Sequence, residues 1–432
     1  MVGAGPHGMS ALKALLQHGI EADGIEREDD VGGNWNFGAE NSRVYESTHL
    51  ISSKPFTQFP DFPMPASYPD YPSHVQAQDY IKRYASHFGL YDHIKFGCEV
   101  TAISAGSQVD ITIKDLLTDA SSTERFAGVV IANGHNWHPK LPYYPGLPLF
   151  RGERLHSADY KSAEQLRGKR VLIVGAGNTG CDIAVEAAIV ADAAYHSSRR
   201  GYWYSPKYAL GRPSDQVADL LLALRVPLAV RRVIFAAVVR LVVGDLTRFG
   251  MAKPDHRFFE THPVVNQLLP YFVGHGKVTP KPDIERFDED SVEFTDGSTA
   301  KVDTVVFATG YLATFPFAAD ELLNIRDGRP HLGRQIFSPA HPGVVVSGLI
   351  QPDSGQWTLA HWQGMLIAHY ARASRDRPAD AAGFAQRVSD QAERRYTGGA
   401  DYADTSRHNF EVAHQEYLAC LQEDIRSLEG SR

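Results

Sequence analysis

Two stretches of the chain repeat one pattern: an apolar strand runs into a spaced glycine triplet and then into a helix whose apolar positions recur three and four apart. In the first, Met1-Val2 leads into Gly3, Gly5 and Gly8, followed by Leu12, Leu15 and Leu16. In the second, Val171 to Val174 leads into Gly175, Gly177 and Gly180, followed by Ile183, Ala184 and Ala187. With 37 glycines in 432 residues, one such triplet arises by chance about 0.3 times in a chain of this length, so the weight lies in the repetition and its strand-to-helix setting.

Other apolar runs predict further elements. Ala22 to Glu26 reads as a strand, Glu293 to Ser298 as a hairpin, and Val302 to Phe307 as a strand entering Ala308-Thr-Gly-Tyr311. Val344 to Ser347 reads as a strand ending in Gly348-Leu-Ile-Gln-Pro-Asp353. Residues 40 to 75 are rich in Pro and aromatics, as in Phe59-Pro-Asp-Phe-Pro63 and Tyr68-Pro-Asp-Tyr-Pro72, and read as an extended excursion packed over a nucleotide or active site. Residues 217 to 250 are apolar but punctuated by arginines, and charged helical patterns fill the rest.

Composition narrows the function. Hydrophobic residues at 43% and charged residues at 22% describe a globular chain that buries sizeable cores. A net charge of -8 supplies no basic field for a phosphate backbone, so nucleic acid is not an expected partner. Cys98, Cys181 and Cys420 are far apart, which excludes a disulfide framework, a thiolate metal site and a dithiol redox centre, and fits a reducing, cytoplasmic compartment. No signal peptide is read at the start, and the longest uncharged run between arginines, Val233 to Val239, is far below the ~20 residues of a membrane span. The 19 histidines show no metal-binding spacing, so no metal is expected.

A glycine turn of this kind brings backbone close to a pyrophosphate, which the helix N-terminus then holds through its N–H groups and dipole. The end of the next strand selects the ribose. Counting from Gly3, that position falls on Glu26, a carboxylate that accepts from ribose hydroxyls and repels a 2′-phosphate. Counting from Gly175, it falls on Ser198, Arg199 and Arg200, which would bind a 2′-phosphate by charge-assisted hydrogen bonds. One chain thus carries an acid-type and a phosphate-type site, matching FAD and NADPH. Gly32-Gly33-Asn34-Trp35 offers a second close approach to the first pyrophosphate.

At these residues the chain resembles the flavin-containing monooxygenase family, class B, FAD- and NADPH-dependent. The fingerprint FxGxxxHxxxY/F is matched by Phe150, Gly152, His156 and Tyr160, just ahead of the second glycine fold. The resemblance extends through Ser52-Ser-Lys54, Gly134-His135, Phe307 to Tyr311 and Gly348 to Gln351, over about residues 2 to 370. Tyr160 stands where Baeyer-Villiger relatives usually place Trp, which favours the heteroatom-oxygenating branch.

The resemblance implies an α/β fold of two dinucleotide-binding, Rossmann-like domains, with the NADPH domain (149–304) inserted into a discontinuous FAD domain (1–148 and 305–432). It implies FAD contacts at Gly3, Gly5, Pro6, His7, Gly8, Glu26, Gly33, Trp35, Val100 and Gly310. NADPH contacts are implied at Gly175, Gly177, Asn178, Thr179, Gly180, Ser198, Arg199 and Arg200. His156 is implied to be structural, not a general base. The implied reaction inserts one oxygen from O2 into an amine nitrogen or sulfide sulfur through a C(4a)-peroxyflavin, with a small-molecule substrate and, by resemblance alone, a homodimer. Residues 44 to 72 and 217 to 260 are the expected walls and substrate entry.

Two departures shape the expectation. Where the family commonly has Asn before Ser-Ser-Lys, this chain has Ile51, so the flavin-edge candidates are His49, Ile51 and Lys54, and an uncoupled NADPH oxidase releasing peroxide is the alternative, alongside Baeyer-Villiger oxygenation of a carbonyl. Only Met1 and Val2 precede Gly3, where a buried parallel strand has ~5 residues, so a truncated or mis-assigned start that weakens FAD retention is expected. A non-catalytic nucleotide-binding or membrane-surface protein has only the arginine-studded stretch near 217 to 243 in its favour.

Overall fold

The computed structural model describes residues 1–209, 211–262, 264–402 and 408–430. Its two parallel sheets are built to one plan. In the first, Val2 sits centrally, bridged to Ile25 on one side and Ile131 on the other. Strand Gly24–Ile25 pairs outward with Ile94–Lys95, and Val129–Ile131 pairs outward with Val344–Val346. In the second, Arg170–Val174 is central, with Ala193–Ser197 and then Val278–Lys281 on one side, and Thr304–Phe307 and then Glu153–His156 on the other.

The correspondence extends to the inserts. A three-stranded antiparallel meander, Cys98–Ala105, Val109–Asp115 and Ser121–Phe126, precedes Val129–Ile131 in the first fold. A second meander, Ile284–Phe287, Ser291–Phe294 and Thr299–Lys301, precedes Thr304–Phe307 in the second, and includes the expected hairpin. In the middle strand of the first meander, buried Val109, Ile111 and Ile113 alternate with half-buried Asp110, Thr112 and Lys114, the period of a strand with one covered face.

The strand Thr304–Phe307 lies wholly in the second sheet, paired residue by residue with Val171 to Val174. The boundary expected at 304/305 therefore falls inside a strand, and the polypeptide leaves the second sheet only after Phe307. Strand Val344–Val346 returns it to the first.

The glycine turns feed helices Pro6–Gln17 and Asn178–Val190. The first is covered by Gln356–Asp376, whose Gly364 has no room for a side chain: a β-carbon there would meet the Ser10 carbonyl oxygen at 2.7 Å. Helix His74–His87 starts at a capping box formed by Ser73 and Gln76, which satisfies two otherwise unpaired N–H groups. The excursion before it contains one short helix, Lys54–Thr57. Within the excursion Phe59 is fully buried and stacks on Tyr84 with ring centroids 4.2 Å apart, anchoring the segment in the first core.

The arginine-punctuated stretch forms helices Ser214–Ala223 and Leu228–Val242. Val230, Val233, Ile234 and Leu241 are exposed on the second of these. Among the described residues, no helix is long and apolar enough to cross a membrane.

Candidate functional site

Both glycine turns open on one cavity of about 1070 Å³. This exceeds the ~300–1,000 Å³ usual for a single small ligand and suits two large ones. The two turns make the same close approaches at corresponding glycines. A β-carbon on Gly3 would meet the carbonyl oxygen of Ala132 at 2.7 Å, and one on Gly175 that of Ala308 at 2.4 Å, both with φ in the left-handed region. Helix packs on strand so closely that a β-carbon on Gly8 would lie 1.9 Å from the Gly3 oxygen, and one on Gly180 2.0 Å from the Gly175 oxygen. These four glycines are required by close backbone packing.

The middle glycines serve a different purpose. A β-carbon on Gly177 would meet nothing within 4 Å, and on Gly5 only the Gly33 α-carbon at 3.7 Å. They border the cavity, and each is the N-cap of its helix with no side chain capping the N–H groups that follow. Two uncapped helix N-termini facing one cavity are fit to bind anionic phosphates. The residues present therefore fit two dinucleotides.

Glu26 is buried at the edge of this cavity. Its carboxylate accepts from the backbone N–H of Ala4 at 2.5 Å and of Glu28 at 3.0 Å. Burial raises its pKa above the ordinary glutamate value, against the lowering effect of those donors. His7 also borders the cavity, under Gly348, where a β-carbon would come within 2.8 Å of its ring. Burial lowers its pKa to about 3, with His135 acting in the same direction, so the imidazole is neutral at physiological pH. Pro6, Gly33, Trp35, Val100 and Gly310 border the cavity as well.

At the second turn, Asn178, Thr179, Arg199 and Arg200 border the cavity. Arg200 is engaged by Asp255 at 2.7 Å, whereas Arg199 is exposed. Ser198 does not reach the wall; its N–H donates to the Lys281 carbonyl, and the neighbouring Ser197 lines the cavity instead. His196 is buried beneath the turn, its Nε2 donating to the Gly175 carbonyl at 3.1 Å, and burial lowers its pKa to about 4.

The flavin-edge candidates separate. His49 and Ile51 line the cavity, with Ile51 42% exposed. Lys54 does not: its ammonium donates to the carbonyls of Tyr68 at 2.9 Å and of Pro65 and Ala66 at 3.3 Å, pinning the excursion to itself. An ammonium satisfied by three carbonyls has no reason to leave them for a ligand. The expected wall at 217 to 260 is also corrected. The cavity touches Ser214 and Asp215 before that stretch and Thr261 and His262 after it, and none of the residues between.

The fingerprint residues build the edge of the second sheet and do not line the cavity. Phe150 packs on Phe287 at 5.6 Å, and a β-carbon on Gly152 would collide with the Phe150 ring and with the Asp303 oxygen at 2.6 Å. His156 is buried, its Nδ1 accepting from the Ala158 N–H at 3.0 Å, with its ring edge-on to Tyr311. Tyr160 donates its hydroxyl to Glu186.

Tyr45 and Asp182 are cavity residues that motif reading did not single out. One signal was present: Asp182 and Glu186 are the only charged residues in the otherwise small and apolar helix Asn178–Val190.

Two glycine-turn folds opening on one cavity, with Glu26 on its wall beside the first and Arg199 beside the second, form a site of the kind found in a flavoprotein that draws its electrons from a nicotinamide nucleotide. The chain belongs to the flavin-binding monooxygenase-like family, whose model matches residues 1–426. It is 33% identical over 376 residues to flavin-containing monooxygenase 5 of Oryctolagus cuniculus, an alignment covering 82% of this chain and 69% of that protein. In fold it is similar to the S-allyl-L-cysteine S-oxygenase of Allium sativum, with a TM-score of 0.68 and 19% identity over 98% of this chain and 87% of the other. It is also similar to an epsilon-caprolactone-bound cyclohexanone monooxygenase, with a TM-score of 0.70 and 18% identity over 98% of this chain and 96% of the other. The protein is an oxidoreductase, an FAD- and NADPH-dependent monooxygenase.

Proposed function

We propose that FAD lies along the first turn, its pyrophosphate at Gly5 and Pro6 and its adenosine ribose at Glu26, and that NADPH lies along the second, with Gly177 to Thr179 at its pyrophosphate and Arg199 at its 2′-phosphate. The observation that carries this reading is the pair of uncapped helix N-termini on one cavity, with Glu26 and Arg199 on its walls. When bound, the two groups supply the electrons and the site at which O2 is activated. The protein binds them, orients them and excludes water.

In this reading the FAD domain is discontinuous and resumes after Phe307. Ile51 and His49 form the wall beside the reacting edge. An isoleucine neither donates nor accepts there, so exclusion of water falls to its apolar bulk, and hydrogen bonding falls to His49. The His49 Nδ1 lies 2.6 Å from the Ser47 carbonyl and donates to it, leaving the opposite ring nitrogen for the cavity. The oxygen acceptor is an amine nitrogen or sulfide sulfur. A cytoplasmic setting is part of the proposal, supported by three cysteines of which none is in a disulfide, and a homodimer is proposed from resemblance alone.

The test is substrate-stimulated NADPH consumption by the FAD-loaded chain across a panel of amines and sulfides, with product mass. One added oxygen per NADPH supports the reading; consumption yielding only hydrogen peroxide supports the uncoupled oxidase that Ile51 favours.

A further inference from the structure

The segment leading to His49 and Ile51 is held by one face of the helix that starts at the second glycine turn. Asp182 and Glu186 stand one turn apart on that helix and so share a face. Asp182 accepts from the Tyr45 hydroxyl at 2.9 Å and from the Asn266 side-chain amide at 2.7 Å. Glu186 accepts from the Ser47 hydroxyl on one oxygen and from the Tyr160 hydroxyl on the other. The rings of Tyr45 and Tyr160 meet edge to face at 5.6 Å, closing the cluster.

Two carboxylates one helical turn apart repel each other. Burial raises the pKa of Asp182, so its charged form depends on the donors that Tyr45 and Asn266 supply, with Lys207 the nearby cation. The segment 45–47 therefore has a definite energetic reason to stay on this helix. Its position passes directly to the wall. The Thr48 N–H donates to the Tyr45 carbonyl at 2.9 Å, and the next residues are tied by Leu50 N–H to the Pro72 carbonyl, also at 2.9 Å.

We propose that Asp182 and Glu186 are positioning residues that keep the wall bearing His49 and Ile51 in register with the nucleotide at Gly177. NADP occupancy and the geometry beside the flavin edge are thereby coupled. The fingerprint tyrosine has its role here, since Tyr160 and Ser47 share one carboxylate. The proposal rests on the placement of NADPH given above. Loss of the link shifts the outcome from substrate + NADPH + H⁺ + O2 giving oxygenated substrate + NADP⁺ + H2O toward NADPH + H⁺ + O2 giving NADP⁺ + H2O2.

The experiment compares the FAD-loaded parent, Glu186→Leu, Ser47→Ala and Glu186→Gln, in which the amide oxygen still accepts. None of these positions borders the cavity. Hydrogen–deuterium exchange with and without NADP⁺ reads residues 44–52 and 178–182 separately. In the parent and in Glu186→Gln, NADP⁺ slows exchange in both segments. In Glu186→Leu the response of 178–182 remains and that of 44–52 is lost, and peroxide released per NADPH rises about threefold to tenfold, the scale of one or two lost hydrogen bonds. An unchanged response of 44–52 in Glu186→Leu, or Glu186→Gln behaving as Glu186→Leu, overturns the link. If NADP⁺ protects neither segment in the parent, the nucleotide placement itself fails. Ser47→Ala removes a single exposed hydroxyl, and it decides the question if Glu186→Leu does not fold.

Discussion

The backbones of Gly5 and Gly33 face each other across the first glycine turn: a β-carbon on Gly33 would stand 3.0 Å from the Gly5 α-carbon, with Gly33 at φ +54. Gly33→Ala forces an L-residue into the left-handed region, at roughly 1–2 kcal/mol, and presses the turn that would hold FAD. The expected result is a lower flavin-to-protein absorbance ratio in the purified protein, restored by added FAD. A ratio equal to the parent's would show that this approach is not part of the flavin site.

Arg199 and Arg200 are adjacent in sequence and unequal in the structure. Arg200 is held by Asp255 and Arg199 is not. Arg199→Ala should raise the KM for NADPH about tenfold or more while leaving that for NADH within about twofold, the loss of one charge-assisted contact to a phosphate. Arg200→Ala should have the smaller effect. Steady-state kinetics with both nucleotides check the ranking, and equal effects would mean that the Arg200 ion pair opens on binding.

Buried His196 predicts an acid-sensitive second fold. Its pKa falls from the ordinary 6.5 to about 4 on burial, so the unfolded chain takes up a proton that the folded chain refuses. Stability from this group is complete above pH 6.5 and is lost as pH falls toward 4, on the order of 3 kcal/mol in all. His196→Gln keeps a donor for the Gly175 carbonyl and cannot titrate, so thermal denaturation should show a flatter fall in Tm between pH 6.5 and 4. A slope identical to the parent's would assign the acid sensitivity to other groups such as His7.

Ile51→Asn tests the apolar wall. If the missing amide limits the chemistry, the variant should release less peroxide per NADPH than the parent, with the rate of flavin reduction unchanged within about twofold; an increase would mean that water exclusion by the isoleucine matters more. Peroxide assayed against NADPH consumed decides between them.

The first meander, Cys98–Ala105 through Ser121–Phe126, shows why part of the fold was hidden in the sequence. Its strands carry no turn signature as plain as Thr295-Asp-Gly297 in the second meander, yet it occupies the same place in the plan. Lys54 shows the same limit at the site. It lies beside Ile51 in the chain, but its side chain is satisfied by carbonyls up to fourteen residues away, a matter of loop closure and not of spacing.

What the sequence determined alone was the local: where backbone must pass close to backbone, hence Gly3, Gly8, Gly175 and Gly180, and that an acid, Glu26, follows the first glycine turn where Arg199 and Arg200 follow the second. Gly8 and Gly180 pack on the Gly3 and Gly175 carbonyls within one strand-to-helix unit, whereas the crowding of Gly3 by Ala132 and of Gly175 by Ala308 comes from the end of a neighbouring strand. Only the tertiary structure decided that both turns share one cavity, that the arginine-rich helices stand outside it, and that Tyr45, Ser47 and Tyr160 meet on Asp182 and Glu186. Those contacts join segments as far as 139 residues apart. Hydrogen bonds over such separations depend on how the two sheets pack, and no periodicity along the chain records that packing.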